Sequence, residues 1–344
     1  MSILTLGLSL GLLGALPAAD TVTAQIEELL AAPYDDLAFG FAIVLPADPL
    51  AYDPSPGLVR ALADGGDLNG DGAPDVITGR APRPGVSVLR ARDGRDGSLL
   101  WSRSVPGDDA AGFRDQRALD VRDGRLAAAP ASRDGSVHVL DVSDGSVLWS
   151  TALTTDDPAD PALLHTALWI DDRTGDGVAE LAVAAGHRVD SLVVFDGADG
   201  SILWTLPAGD AVYDVREAHD ANDDGVAELA VVGGDDAPFA RLLDGVDGRV
   251  LWTTPLDGPG SVVLPMDDVD GDGSADLAVG QFNAPGRCLL ALSGADGARL
   301  WESFSVFANV TSLDLLSDML DTGLRDICGP RSASVSWSTV PVWT

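Results

Sequence analysis

Residues 261–302 decide the fold: Ser261-Val-Val-Leu-Pro-Met-Asp267, then Asp268-Val-Asp270-Gly-Asp272-Gly273-Ser-Ala-Asp276, then the apolar run to Gly280, Arg287-Cys-Leu-Leu-Ala-Leu292, Ser293-Gly-Ala-Asp-Gly297 and Ala298-Arg-Leu-Trp-Glu302. Ser261–Asp267 reads as a first strand, the acidic loop turns the chain, and Ala275–Gly280 is a second strand. Arg287–Leu292 is a third, the Gly-bearing turn follows, and Ala298–Glu302 is a fourth. One period is therefore four short antiparallel strands with no amphipathic helix between them.

The unit repeats. Acidic loops begin at Asp67, Asp172, Asp220 and Asp268, the last three in steps of 48, and Trp101, Trp149, Trp204, Trp252 and Trp301 run in phase with them. A period of this size built from strands indicates the blades of an all-β propeller, each blade four-stranded and antiparallel. Degenerate loop copies stand around Asp120–Arg125 and Asp318–Asp326, stripped of most oxygens, and no metal is expected there. The five Trp are expected to fill the wedge between blades.

The loops carry the chemistry. They read Asp67-Leu-Asn69-Gly-Asp71-Gly72-Ala-Pro-Asp75, Asp172-Arg-Thr174-Gly-Asp176-Gly177-Val-Ala-Glu180, Asp220-Ala-Asn222-Asp-Asp224-Gly225-Val-Ala-Glu228, and the Asp268, Asp270, Asp272, Asp276 copy. Oxygen side chains at positions one, three, five and nine, with Gly at six for a sharp turn, suit Ca2+, which takes six to eight oxygens at about 2.3–2.6 Å. Asn, Asp and Gly also favour metal-free turns. A carboxylate at position nine in all four copies, for which a turn has no evident use, favours the metal. About four structural Ca2+ ions are expected, held tightest by the Asp268 loop with its four carboxylates and weakest by the Asp172 loop, where Thr174 replaces an acid or amide. An empty loop should fray, because like charges at about 5 Å repel by roughly 3 kcal/mol at an effective dielectric near 20.

On these loops the chain, over about residues 57–344, resembles the FG-GAP repeat family, the calcium-loop propellers of integrin α-subunits and many secreted bacterial proteins. Its Asp-Gly-x-x-Leu-Trp endings resemble instead the outer strands of quinoprotein-type propellers. Residues 57–344 divide into six blades, and a strand within 36–50, containing Phe39-Gly-Phe-Ala-Ile-Val-Leu45, is expected to close the ring and hide its edges. Seven blades follow if 20–56 holds more than one strand. A short helix is expected over 21–32.

A net charge of −33 argues against nucleic acid and anionic membrane surfaces as partners. All 21 basic residues are Arg, a bias that either a GC-rich genome or a salty environment produces. Residues 3–16 are an uncharged apolar run, too short to span a membrane and suited to a signal peptide ending near residue 19, although no basic residue precedes it. The expected location is therefore secreted or cell envelope. In an oxidising compartment Cys288 and Cys328 are either a disulfide between adjacent blades or two buried thiols.

No nucleophile, zincin or P-loop motif appears. His138, His165, His187 and His219 share no motif, and His219 abuts the Asp220 loop as a second-layer candidate. The Asn309-Val-Thr311 sequon and the Leu-Asp-Val triplets at 119 and 140 are assigned no function. Two readings follow: a calcium-stabilised secreted module for interaction or adhesion, binding an extracellular protein or glycan and having no catalytic residues; or a propeller enzyme, a quinoprotein dehydrogenase or a polysaccharide lyase using an Arg such as Arg114 or Arg117. The quinoprotein family's pair of adjacent cysteines is absent. The first reading is preferred, and fold alone does not separate them.

Overall fold

A computed structural model describes residues 59–305 apart from 84–85, 107–115, 133, 155–161, 283 and 285, together with 310, 312–315 and 327–328. The chain divides into two units, Met1–Ile43 and Val44–Thr344, and all described residues lie in the second. The expected signal peptide, the 21–32 helix, the ring-closing strand within 36–50, Arg114 and the sequon asparagine fall outside the described residues.

Five four-stranded antiparallel sheets follow one another, each a simple meander. Blade one is β1 (Val59–Gly66), β2 (Asp75–Arg83), β3 (Val86–Arg92) and β4 (Leu99–Pro106). After one 3₁₀ turn at Gln116–Ala118, blade two is β5 (Leu119–Arg122), β6 (Arg125–Ala128), β7 (Val137–Asp141) and β8 (Val147–Thr151). Blade three is β9 (Leu163–Ile170), β10 (Glu180–Gly186), β11 (Ser191–Phe195) and β12 (Ile202–Pro207). Blade four is β13 (Val212–Glu217), β14 (Leu229–Gly233), β15 (Phe239–Leu243) and β16 (Val250–Pro255). Blade five is β17 (Gly260–Pro265), β18 (Leu277–Gln281), β19 (Gly286–Leu292) and β20 (Arg299–Ser305), and a two-stranded sheet of β21 (Asp314–Leu315) and β22 (Ile327–Cys328) follows. The strand β20 runs past Glu302, where the sequence ends it, and Phe304 still pairs with Arg287.

The strands of blades two to five read as they do because those blades are covered on both faces. The second strands β10, β14 and β18 are buried at every position, so they are continuous apolar runs rather than alternating ones. Successive blades share a core: Leu181, Val183 and Phe195 of blade three pack with Val137 and Val139 of blade two, while Ala182, Leu192 and Val194 pack with Val212, Leu229 and Val231 of blade four. The outermost strand β12 has no sheet neighbour on one side and stays largely exposed.

The Trp series locks one blade to the next. The indole Nε1 of Trp101, Trp149 and Trp252 donates to the carbonyl oxygens of Val142, Gly197 and Gly294 at 2.9, 2.9 and 3.0 Å. Each ring lies on a glycine of the following blade's β-turn: a Cβ on Gly145, Gly200, Gly248 or Gly297 would stand 2.7, 2.4, 2.7 or 2.5 Å from Trp101, Trp149, Trp204 or Trp252. Residues two further on add a second tie, Arg103 Nε to Gly145 O and Thr151 and Thr254 Oγ1 to Gly200 and Gly297 O. The repeated Asp-Gly turn and the repeated Trp are thus two halves of one joint.

Candidate functional site

All four acidic loops lie between the first and second strands of their blades, on one rim. Gly72, Gly177, Gly225 and Gly273 at position six have φ of +85, +88, +89 and +95°, which an L side chain resists. Their N–H groups donate to the second carboxylate oxygen of the first residue: Gly72 to Asp67, Gly177 to Asp172, Gly225 to Asp220 and Gly273 to Asp268, at 2.7–2.9 Å. These backbone donors hold the Asp67, Asp172 and Asp268 carboxyls below the usual range. Position five caps position seven by the same device, as Asp176 does Val178 and Asp272 does Ser274.

Position nine has a use that the sequence did not show. Asp75, Glu180, Glu228 and Asp276 are at most 1% exposed. Their carboxylates staple the loop to the Gly of the β3–β4-type turn in the same blade. Asp75 accepts from Leu68 N and Gly94 N, Glu180 from Arg173, Thr174 and Gly197 N, and Asp276 from Val269 N and Gly294 N. Glu228 accepts from Gly245 N through Oε2 and is fully buried. The ninth carboxylate therefore satisfies buried amides whether or not a cation is present, and its recurrence is not by itself a metal signature.

The fit to a hard cation differs between loops. Among the described residues, Asp268, Asp270 and Asp276 are the His, Cys, Asp or Glu trio whose oxygens converge within 4.8 Å. Burial, followed by the charges of Asp270 and Asp272, pushes the Asp276 carboxyl up, as expected where carboxylates crowd together. Burial likewise raises Glu228, reinforced by Asp244 and Asp224. In blade one, Asp71 is instead paired with Arg95 at 3.0 Å, and in blade three Thr174 Oγ1 lies 3.4 Å from Asp172. Asn69 and Asn222 turn their amide nitrogens to Asp93 and Asp244, leaving Oδ1 to accept from Asp71 and Asp224 N.

A second site lies where the innermost strands meet. Positions 120, 168 and 216, in steps of 48, present Asp120, Leu168 and Arg216 from three successive blades, and with Leu62, Arg117, Leu119 and Ala167 they line a cavity of about 290 Å³. Arg117 crosses the inner-strand space. Its Nη1 pairs with Asp214 at 2.6 Å and its Nη2 donates to Ser261 O at 3.0 Å, joining blade two to blades four and five. Asp214 is fully buried, also accepts from Thr166 Oγ1 and Val263 N, and has Arg216 as a second, longer ion-pair partner at 3.8 Å, so Arg117 is its close cation. Asp120 accepts from Trp169 N and Val121 N while burial raises its carboxyl, so its first role is to hold blade three.

On the loop rim, blades reach forward to their neighbours: Arg122 pairs with Asp171, and Arg173 pairs with Glu217 at 2.8 Å and donates to Ala227 O. Sequence reading left Asp214, Glu217 and Arg216 unmarked. The 48-residue step through 120, 168 and 216 was the available signal. The loop around Asp120–Arg125 is a two-residue turn at Asp123 and Gly124, with φ of +48 and +76°. His138 is buried with Nδ1 2.8 Å from Ser150 Oγ, and the His219 ring lies on Gly294 rather than among the Asp220 loop oxygens. Cys288 is a buried free thiol.

A family model described as outer membrane protein assembly factor BamB matches residues 67–163, under a third of the chain. No curated protein sequence matches. Among solved structures, BBS1N in complex with ARL6DN is similar in two forms. The lead-soaked form has a TM-score of 0.52 at 11% identity, covering 81% of this chain and 78% of that one. The mercury-soaked form has 0.51 at 13%, covering 83% and 86%. BamB from Moraxella catarrhalis has 0.42 at 14%, covering 81% and 84%. The chain is an all-β protein of the β-propeller class, with a BamB-like repeat in its first blades. Among the described residues no helix is long and apolar enough to cross a membrane.

Proposed function

We propose that this chain is an FG-GAP-like, calcium-stabilised interaction propeller of the cell envelope or exterior, without catalytic activity of its own, that presents its loop rim to a protein or glycan. The observation that carries the calcium part is the convergence of Asp268, Asp270 and Asp276 within 4.8 Å on a loop already folded by its own hydrogen bonds. Each carboxylate oxygen has lone pairs beyond the one an N–H occupies, so the capped loop still has capacity for a cation. The buried Glu228 carboxyl, with the charges of Asp244 and Asp224 beside it, points to the Asp220 loop as the next site. There Ca2+ would be held by Asp220, Asn222, Asp224 and Glu228, and its chemistry would be charge neutralisation that couples binding to folding. The Asp67 and Asp172 loops rank below these.

The module reading is favoured over an enzyme built round a funnel cofactor because Arg117, Asp214 and Ser261 tie the inner strands together and leave a cavity at the lower bound for small-molecule sites. The envelope location is supported by the BamB-like match, BamB being an outer membrane assembly factor by its description. The test is metal content by mass spectrometry together with thermal unfolding of the full chain in calcium and in chelator. The expected result is one to four Ca2+ per chain, a melting temperature raised by calcium, and loss of the tightest site in Asp270→Ala. No bound metal and no shift would overturn the calcium reading.

A further inference from the structure

The cavity between the innermost strands has opposite charges on its wall that do not meet. Arg216 of β13 and Asp120 of β5 both line it, two blades apart. Burial raises the Asp120 carboxyl and the Arg216 charge acts against that rise, so the two groups lie within electrostatic reach of each other. Among the described residues they close no ion pair. Arg216 instead makes two loose contacts, Nη2 at 3.8 Å from Asp214 Oδ1 and Nη1 at 3.5 Å from Val215 O, both longer than a good hydrogen bond. Its five-donor fork therefore still has hydrogens to offer, and 27% of the side chain is exposed. Each Asp120 oxygen accepts one amide, Val121 N or Trp169 N, and keeps a further lone pair. Arg117, the other cation on the wall, is already tied to Asp214 and to Ser261 O. The cavity lies on the loop-rim side of that tie, since Asp120, Leu168 and Arg216 each stand within two residues of the end of their strand, where the chain enters the loop.

The rest of the wall is apolar: Leu62, Leu119, Ala167 and Leu168. Leu62 is 55% exposed, the highest value for a large apolar side chain among the described residues. The charged groups gathered here, Arg117 and Arg216 with Asp120 and Asp214, balance one another. A bare anion that met Arg216 would be repelled by Asp120, and a bare cation that met Asp120 would be repelled by Arg216. A molecule of zero net charge with its two charges close together satisfies both groups. The volume, about 290 Å³, is at the lower bound for small-molecule sites and suits one small ligand rather than a chain of them. We propose that this cavity binds a free aliphatic α-amino acid of the leucine or valine type as its zwitterion, the α-carboxylate on the Arg216 fork, the α-ammonium at Asp120 and the side chain against Leu62, Leu119 and Leu168. Binding here requires neither a cation in the acidic loops nor a macromolecule on the rim, so the site stands apart from the calcium and interaction readings.

Calorimetric titration of the full-length chain in calcium tests this, with L-leucine set against glycine, leucinamide and 4-methylpentanoate, which lack the side chain, the carboxylate and the ammonium in turn. Each is expected to bind at least about tenfold more weakly than leucine, because each leaves one part of the wall unmatched. Arg216→Gln is expected to weaken leucine by a similar factor while leaving the urea midpoint unchanged, since Arg117 remains the close cation of Asp214. Asp120→Asn keeps a carbonyl oxygen for an amide and removes the charge, so it is expected to weaken leucine and to strengthen 4-methylpentanoate, a crossover that a merely structural loss would not give. Should that variant fail to fold, Arg216→Gln and Arg216→Lys decide, with Lys intermediate because it keeps the charge without the fork. No binding at about 10 mM leucine overturns the proposal. So does leucinamide binding as tightly as leucine, or an affinity that Arg216→Gln leaves unchanged. Tighter binding of 4-methylpentanoate than of leucine by the parent chain also overturns it and would assign a simple anion site.

Discussion

Trp149 lies on Gly200 across the joint between blades two and three, and no other residue type fits at 200. A Cβ there would stand 2.4 Å from the indole Cε3, and the backbone φ is +76°. Gly200→Ala is therefore expected to cost about 2–4 kcal/mol, overpacking and left-handed strain together. Gly209, with φ +78° but open space around it, isolates the backbone part, and Gly209→Ala should cost about 1 kcal/mol. Urea unfolding of the two variants side by side reads the difference.

The ninth-position staple and the cation site separate by mutation. Glu180 holds three amides, that of Gly197 buried and those of Arg173 and Thr174 partly so, and Glu180→Ala is expected to lose about 2–4 kcal/mol in chelator as well as in calcium. Asp270 caps a single amide, Asp272 N, and Asp270→Ala should lose little in chelator and much more in calcium. Melting temperatures of both variants in both buffers check this, and equal calcium dependence would show that the two carboxylates do one job.

Acid should destabilise the chain through His138. Burial lowers its pKa from 6.5 to about 4, against the opposing charge of Asp134. The unfolded chain then takes up the proton first, so stability contributed by this site is full above pH 6.5 and is lost as pH falls toward 4. Between pH 7 and pH 5 the loss is about 2 kcal/mol. The raised carboxyls of Asp120, Glu217 and Glu228 act with the opposite sign, since they favour the folded state as pH falls. The measurement is therefore a difference: His138→Gln should lose less stability than the parent chain between these pH values, in urea titrations at each pH.

The repeat was legible because its signals are local. The turn glycines, the apolar second strands and the phased Trp each require only a few neighbouring residues, and β17–β20 lie within a few residues of where Ser261–Glu302 places them. The loop chemistry was half legible. Its first six positions act within the turn itself, whereas the ninth carboxylate bonds Gly94, Gly197, Gly245 or Gly294, 17 to 19 residues further on. Nothing in a linear pattern distinguishes an oxygen meant for a cation from one meant for that amide.

The sequence alone determined that this chain is a propeller of four-stranded blades, because period and alternation follow from chain geometry and side-chain polarity. Only the tertiary structure decided what the charged residues do. Arg117 of blade two meets Asp214 of blade four and Ser261 of blade five, and Arg80, Arg90 and Arg92 gather on one face of blade one. Those encounters depend on how successive blades turn about the axis, a relation between residues up to 144 positions apart, and electrostatic energy follows distance in space rather than order along the chain.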